Sequence, residues 1–297
     1  MPSRTPSPVT DRLKSWPQYL LPHHPLSRLV HRLTRVQTRW FKNWLIGRFV
    51  RRFDVDMTEA QVEDPLAYAS FNDFFTRSLK SSARPLEDGP QAVVCPVDGT
   101  VSQTGRIDGM RVFQAKGRSF DTVELLGGDR ELAAGFDNGA FATLYLSPRD
   151  YHRIHMPADG TLRRMIHVPG RLFSVNPPTT RTVPRLFARN ERVVTVFDTE
   201  FGRMALVLVG ALFVSSIETV WAGEITPPHG HAVRQWHYDA AGQDRISIAR
   251  GAEVGRFNMG STVILLFERD RVTLEDTLAP DQTVRVGRRL ARATLPD

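Results

Sequence analysis

Across residues 26–53, apolar side chains recur at Leu26, Leu29, Val30, Leu33, Val36, Trp40, Phe41, Trp44 and Leu45, the i, i+3, i+4, i+7 spacing of an amphipathic helix. Arginines fill the positions between them. Pro17, Pro22 and Pro25 break the chain before this run into a short separate piece. A second helical pattern covers 66–80, with Phe71, Phe74, Phe75 and Leu79 on its apolar face and Ala83, Arg84 and Pro85 ending it. After Pro85 the period changes. Runs rich in Val, Ile, Leu, Phe and Thr fall at 92–97, 111–115, 142–146, 193–197, 204–212, 261–267 and 284–286, separated by Gly, Pro, Asn and Asp. The pattern predicts an α+β chain, in which a β-rich, barrel- or sandwich-like body (61–297) follows N-terminal amphipathic helices (1–60).

At 297 residues, 41% hydrophobic and 24% charged, the chain is long and apolar enough to bury a core, which excludes disorder as a whole-chain reading. Its one cysteine, Cys95, excludes an internal disulfide and a four-cysteine zinc site, and is in keeping with a reducing compartment. The net charge of +7 is unevenly spread. Residues 1–53 hold eleven Lys or Arg against one acid, Asp11, whereas the remaining 244 hold 28 basic and 31 acidic side chains. The first twenty residues lack the apolar core of a secretory signal. The longest uncharged apolar stretch, 204–217, is shorter than the roughly 20 residues a spanning helix needs, and reads as strand. A basic helix with Trp and Phe between guanidinium groups suits an anionic membrane surface. Packing on its own domain or on a second copy is another reading of the same segment, and nucleic-acid binding a third.

Three segments could carry chemistry. The tract Asp150, Tyr151, His152, Arg153, Ile154, His155, Met156, Pro157 follows a strand and places two imidazoles three residues apart. As metal ligands they would need partners such as His229 and His231, and no carboxylate or cysteine falls at ligand spacing near either pair, so no metal is assigned. The histidines are then either exposed loop residues or an acid and a base. Asp98, before Gly99, reads as a β-turn residue that acquires a function if it meets a histidine. Ser261 stands between Gly260 and a wholly apolar strand that would fix it rigidly. Asp98, His155 and Ser261 could form an acid, base and nucleophile constellation. On these residues alone a serine hydrolase and a binding module both stay open.

Taken together, the segments resemble the phosphatidylserine decarboxylases, a family of pyruvoyl enzymes. The resemblance extends from about residue 40 to 290. It rests on Phe71, Asn72, Asp73, Phe74, Phe75, Thr76 and Arg77 with Ala83, Arg84 and Pro85; on Pro96, Val97, Asp98 and Gly99; on the tract from Asp150 to Pro157; on Leu172, Phe173, Ser174, Val175 and Asn176; on Trp221, Ala222, Gly223, Glu224, Ile225, Thr226, Pro227 and Pro228; and on Gly260, Ser261 and Thr262. Met259 stands where the family usually has leucine, a volume-conserving change.

The resemblance implies that Ser261 is a cofactor precursor. Asp98 orients His155, His155 deprotonates Ser261, and the serine oxygen attacks the carbonyl of Gly260. β-Elimination and hydrolysis then leave a pyruvoyl group at position 261, with chains 1–260 and 261–297 remaining associated. A Schiff base to that group drains electrons from the substrate as CO2 leaves, converting phosphatidylserine to phosphatidylethanolamine, and His152 supplies the returning proton. It further implies a homodimer at the cytoplasmic side of the cell membrane, with the anionic lipid surface rather than nucleic acid as partner.

Overall fold

The computed structural model describes residues 8–295 apart from 116, 215, 228–229, 240–241, 243–244 and 260. The N-terminal segment forms helices α1 (Pro8–Ser15), α2 (His23–Thr34) and α3 (Arg39–Phe53), with a 3-10 turn at Trp16–Tyr19. The apolar run expected as one helix over 26–53 is therefore two. Thr34 turns its hydroxyl back onto the carbonyls of Val30 and His31, competing with the backbone ladder, and Arg35 is drawn out of the helix to partners on the body. The helix expected over 66–80 shrinks to a 3-10 turn at Pro65–Ala67 and α4 (Phe71–Phe75). Ser70 caps α4, its hydroxyl accepting the Asp73 N–H and donating to the Asp73 carboxylate. Phe71, Phe74 and Phe75 then pack with Ile46 and Val55 into a small second core.

The helical preface is stitched to the body by buried polar contacts. Arg181 forks onto Asp11 at 2.8 and 3.1 Å, Gln18 bonds Thr179 and the Ser174 N–H, His23 accepts from the Leu172 N–H, and Ser27 donates to the Val214 carbonyl. Several of its large apolar side chains point outward among the exposed basic ones. Leu20 (73% exposed), Trp40 (74%), Leu13 (69%) and Trp16 (65%) face solvent. Isolated exposed apolar residues are ordinary; larger exposed apolar patches mark interaction surfaces.

The body is antiparallel sheet, and none of its sheets closes into a barrel. The largest runs in the order Arg234–His237, Gly160–Val168, Arg192–Thr199, Gly202–Val209, Thr262–Phe267, Ala140–Tyr145, Gly99–Arg106, Thr283–Val284. A second has the order Gly223–Thr226, Ile217–Thr219, Glu253–Phe257, Arg153–His155. Thr262–Phe267 is central and buried along its whole length, so its continuous apolar sequence is what two covered faces require.

One topological feature positions the site. Ala140–Tyr145 pairs with Thr262–Phe267 in the large sheet, and Arg153–His155 pairs with Glu253–Phe257 in the second. Both chain segments thus leave one sheet for the other side by side, through residues 146–152 and 258–261. The Leu146 N–H donates to the Ser261 carbonyl at one end of this double crossover, and the Phe257 N–H to the His152 carbonyl at the other.

Candidate active site at the double crossover

Ser261 enters the central strand with no exposed surface, and its Oγ has no hydrogen-bond partner among the described residues. Its neighbour Thr262 and the nearby Thr143 also hold buried, unpaired hydroxyls. Folding normally avoids this, since an unsatisfied buried hydroxyl costs about 1–3 kcal/mol. Gly260, on the other side of the expected scissile bond, lies outside the described residues, as does His229.

His155 sits in the short strand opposite Glu253. Its Nδ1 lies 2.7 Å from the carbonyl of Gly251, which accepts only and so fixes the proton on Nδ1. That leaves Nε2 with a lone pair, which takes the Tyr151 hydroxyl at 3.1 Å. Burial lowers the imidazole pKa; the Gly251 carbonyl and the carboxylates of Glu253 and Asp98 pull it back up, while Arg153 adds to the lowering. The His155 ring is thus in the tautomer a base needs.

Asp98 does not provide the orienting hydrogen bond expected of it. Its carboxylate is gripped by Arg84, whose Nε reaches the two oxygens at 2.9 and 3.0 Å, and it accepts the Val286 N–H at 2.9 Å. Gly251 occupies the orienting position at His155, and Asp98 acts on that ring through space. Gly99 follows because a Cβ there would collide with the Tyr145 carbonyl. Arg84 continues to Glu59 at 2.7 Å, and Glu59 to Arg285 at 2.9 Å. Removing Arg84 strands a largely buried carboxylate, so Arg84→Ala is expected to cost about 3 kcal/mol or more in urea unfolding, well beyond Arg285→Ala at the exposed end of the chain.

His152 is the imidazole beside the 258–261 crossover. Its ring lies flat on Phe75, centroids 4.1 Å apart and planes 20° apart, and Met259 packs against the same aromatic cluster. It is wholly buried, and neither nitrogen reaches a partner in hydrogen-bond geometry among the described residues. Burial, then the nearby Arg77 cation, push its pKa down to about 3, against a weak opposing pull from the Pro148 and Ser147 carbonyls. Below pH ~6.5 the unfolded chain protonates this histidine while the folded chain does not, so its contribution favours unfolding as pH falls toward 3. The melting temperature should therefore decline over that window, and His152→Gln should flatten the decline by up to roughly 1.4 kcal/mol per pH unit.

Two further groups converge here without having been assigned a role from sequence. Asp150 accepts the Ser147 N–H at 2.7 Å, and burial raises its pKa. Tyr151 carries the hydroxyl on His155, and burial lifts its pKa to about 12, so it stays a donor at neutral pH. Both lie in the same tract as the histidines; the signal was a polar side chain at every position from 150 to 153.

Comparison with known proteins adds the chain's relatives to this geometry. The family model described as phosphatidylserine decarboxylase matches residues 71–292, and a second, described as PSD, matches 13–54. The chain belongs to the phosphatidylserine decarboxylase family. It is 61% identical over 284 residues to a protein of Bordetella pertussis, covering 96% of this chain and 95% of the relative. It is 63% identical to one of Alkalilimnicola ehrlichii over 265 residues (89% and 91%), and 57% identical to one of Azotobacter vinelandii over 287 (97% and 100%). Each of these relatives is named phosphatidylserine decarboxylase proenzyme. The decarboxylase match spans Asp98, His152, His155 and Ser261, and the shorter one covers the basic helices. A serine hydrolase turning over on Ser261 finds no support among these relatives.

Proposed function

We propose that this decarboxylase is made as a proenzyme that breaks its own chain between Gly260 and Ser261 and then converts phosphatidylserine to phosphatidylethanolamine at a membrane surface. The observation that carries this reading is the 57–63% identity, over nearly the whole chain, to proteins named as such proenzymes.

The residues suit the chemistry. His155 removes the Ser261 hydroxyl proton through Nε2 once Tyr151 yields that position, and Asp98 stabilises the resulting imidazolium through space. The freed oxygen attacks the Gly260 carbonyl, and the Gly260–Ser261 C–N bond breaks in favour of an ester. Loss of a Cα proton with cleavage of the Cβ–Oγ bond releases Gly260 as a carboxylate. Water then replaces the nitrogen of residue 261, which departs as ammonia. A buried serine whose hydroxyl makes no hydrogen bond among the described residues fits this fate, because its oxygen is not held in another contact. The pyruvoyl group so formed supplies a carbonyl that takes the substrate amine and holds the electrons released with CO2. His152, one wall of the same crossover, returns a proton to the substrate carbon.

The preface supplies the approach to the lipid. Its exposed Leu13, Trp16, Leu20 and Trp40 enter the interface while the basic side chains meet anionic headgroups, the expected result being peripheral attachment at the cytoplasmic face of the cell membrane. Among the described residues no helix is long and apolar enough to cross a membrane. The two cleaved chains stay associated through the central strand, and the enzyme works as a homodimer. The test is CO2 release from carboxyl-labelled phosphatidylserine vesicles by the purified protein, with and without borohydride in the presence of substrate. Release that borohydride abolishes is expected; no release, or release that borohydride leaves untouched, overturns the reading.

A further inference from the structure

We propose that Ser216 and Arg35 are positioning residues for cleavage of the 260–261 bond, which makes helix α2 the outer end of a clamp on the segment that breaks. This rests on the self-cleavage reading above. Ser216 is wholly buried and holds Asn258 at two points: its carbonyl accepts the Asn258 N–H at 3.1 Å, and its hydroxyl accepts from Asn258 Nδ2. The same hydroxyl accepts Arg35 Nη2 at 3.2 Å. Arg35 follows directly on α2, and its guanidinium is braced by Glu224 at 2.8 Å. Glu224 also bonds His31, one turn back on that helix, at 2.9 Å. The next residue, Met259, is packed into the cluster built by α3 and α4.

Geometry gives this clamp a task. For a serine oxygen to reach the carbonyl that precedes it, the chain must curl back on itself within a single residue, a shape an extended strand does not offer. From Thr262 onward the chain is fixed on both sides by sheet pairing, with Tyr145 and with Val209. The turn therefore has to be imposed from the side of Asn258 and Met259. Holding residue 258 by main chain and side chain sets the direction from which the carbonyl meets the oxygen, where a misplacement of about 1 Å costs about a hundredfold in rate. The arrangement also joins the scissile segment to a helix that carries the exposed Leu29 (52%) and Leu33 (41%).

Freshly synthesised chain, followed by intact mass as the 33.5 kDa precursor converts to two fragments, provides the test. Arg35→Ala and Ser216→Ala are expected to slow conversion by about tenfold or more. Arg35→Lys should recover part of the rate, and added guanidinium should speed Arg35→Ala, a response that a merely structural arginine would not give. In a Ser261→Ala background, Arg35→Ala should melt with its parent. Wild-type rates in both alanine variants overturn the clamp, as does slow cleavage in Arg35→Ala that neither lysine nor guanidinium improves. Should Ser216→Ala fail to fold, Arg35→Ala decides, since its side chain is partly exposed. A wild-type chain that never cleaves overturns the self-cleavage reading itself, and the clamp with it.

Discussion

Ser261→Ala is expected to remain one chain of about 33.5 kDa with no detectable decarboxylation, beside a wild-type sample that separates into residues 1–260 and 261–297. On the proposed mechanism the loss should be total within assay limits, at least about 10⁴-fold, because Oγ is both the attacking nucleophile and the group whose elimination lets water turn Cα into the ketone. In that reading its removal deletes the electron sink, and no other side chain described in the crossover can replace a ketone. The fold should tolerate the change. Ser261 Oγ makes no hydrogen bond, so the alanine loses no partner and relieves an unsatisfied buried hydroxyl; a melting temperature equal to or above that of a non-cleaving reference is expected. Ser261→Cys keeps a nucleophile in the same place and should cleave, more slowly, at the same bond, with the same small fragment and Gly260 released as a thiocarboxylate. Intact mass spectrometry reads all three, and the small fragment's mass also reports whether its N-terminus has lost an amine. A Ser261→Ala protein that still splits at this bond would remove the serine from the mechanism.

That such a test could be framed from sequence reflects which features are local. The strand at Thr262–Phe267 was legible because a strand buried on both faces is a continuous apolar run, and Arg111–Ala115 because its neighbours are turn residues. Gly99–Arg106 was not, since its composition is polar; it becomes a strand through pairing with Ala140–Tyr145 on one side and Thr283–Val284 on the other. Gly160–Val168 carries Arg163 and Arg164 in its middle, and becomes a strand through pairing with Arg192–Thr199 on one side and Arg234–His237 on the other. The helix over 26–53 showed its periodicity but not its break, because what draws Arg35 away lies at residues 216 and 224. The site behaved in the same way. Residue types and their tracts suggested Asp98, His155 and Ser261, and the family resemblance added His152, but no pattern in the chain links Asp98 to Arg84 or His155 to the carbonyl of Gly251. A backbone carbonyl leaves no trace in side-chain identity.

The two histidines should separate the two reactions. His155→Ala is expected to stall as intact precursor, having lost the base whose Nε2 faces the Tyr151 hydroxyl and whose Nδ1 proton is fixed by Gly251. His152→Ala should cleave to the same two fragments as wild type and then turn over phosphatidylserine at least about 10²-fold more slowly. The reasoning lies in their surroundings. His155 is within reach of a hydroxyl and three charged side chains that tune a base, whereas His152 is pressed on Phe75 with both nitrogens unpaired. Held neutral down to about 3, His152 is not an imidazolium at working pH; it can give up an N–H proton only to a strongly basic centre, which the carbon left by departing CO2 is. A pH profile checks the assignment. An ordinary histidine acid would lose activity as pH rises through ~6.5, whereas decarboxylation limited by a neutral His152 should show no such fall between about pH 6 and 8. Cleavage should follow the opposite course, declining as pH drops and His155 takes up a proton on Nε2, at a pH below 6.5 because burial lowers that pKa. Measuring fragment formation and CO2 release on one set of samples gives both curves, and a His152→Ala protein that fails to cleave while remaining folded would merge the two roles.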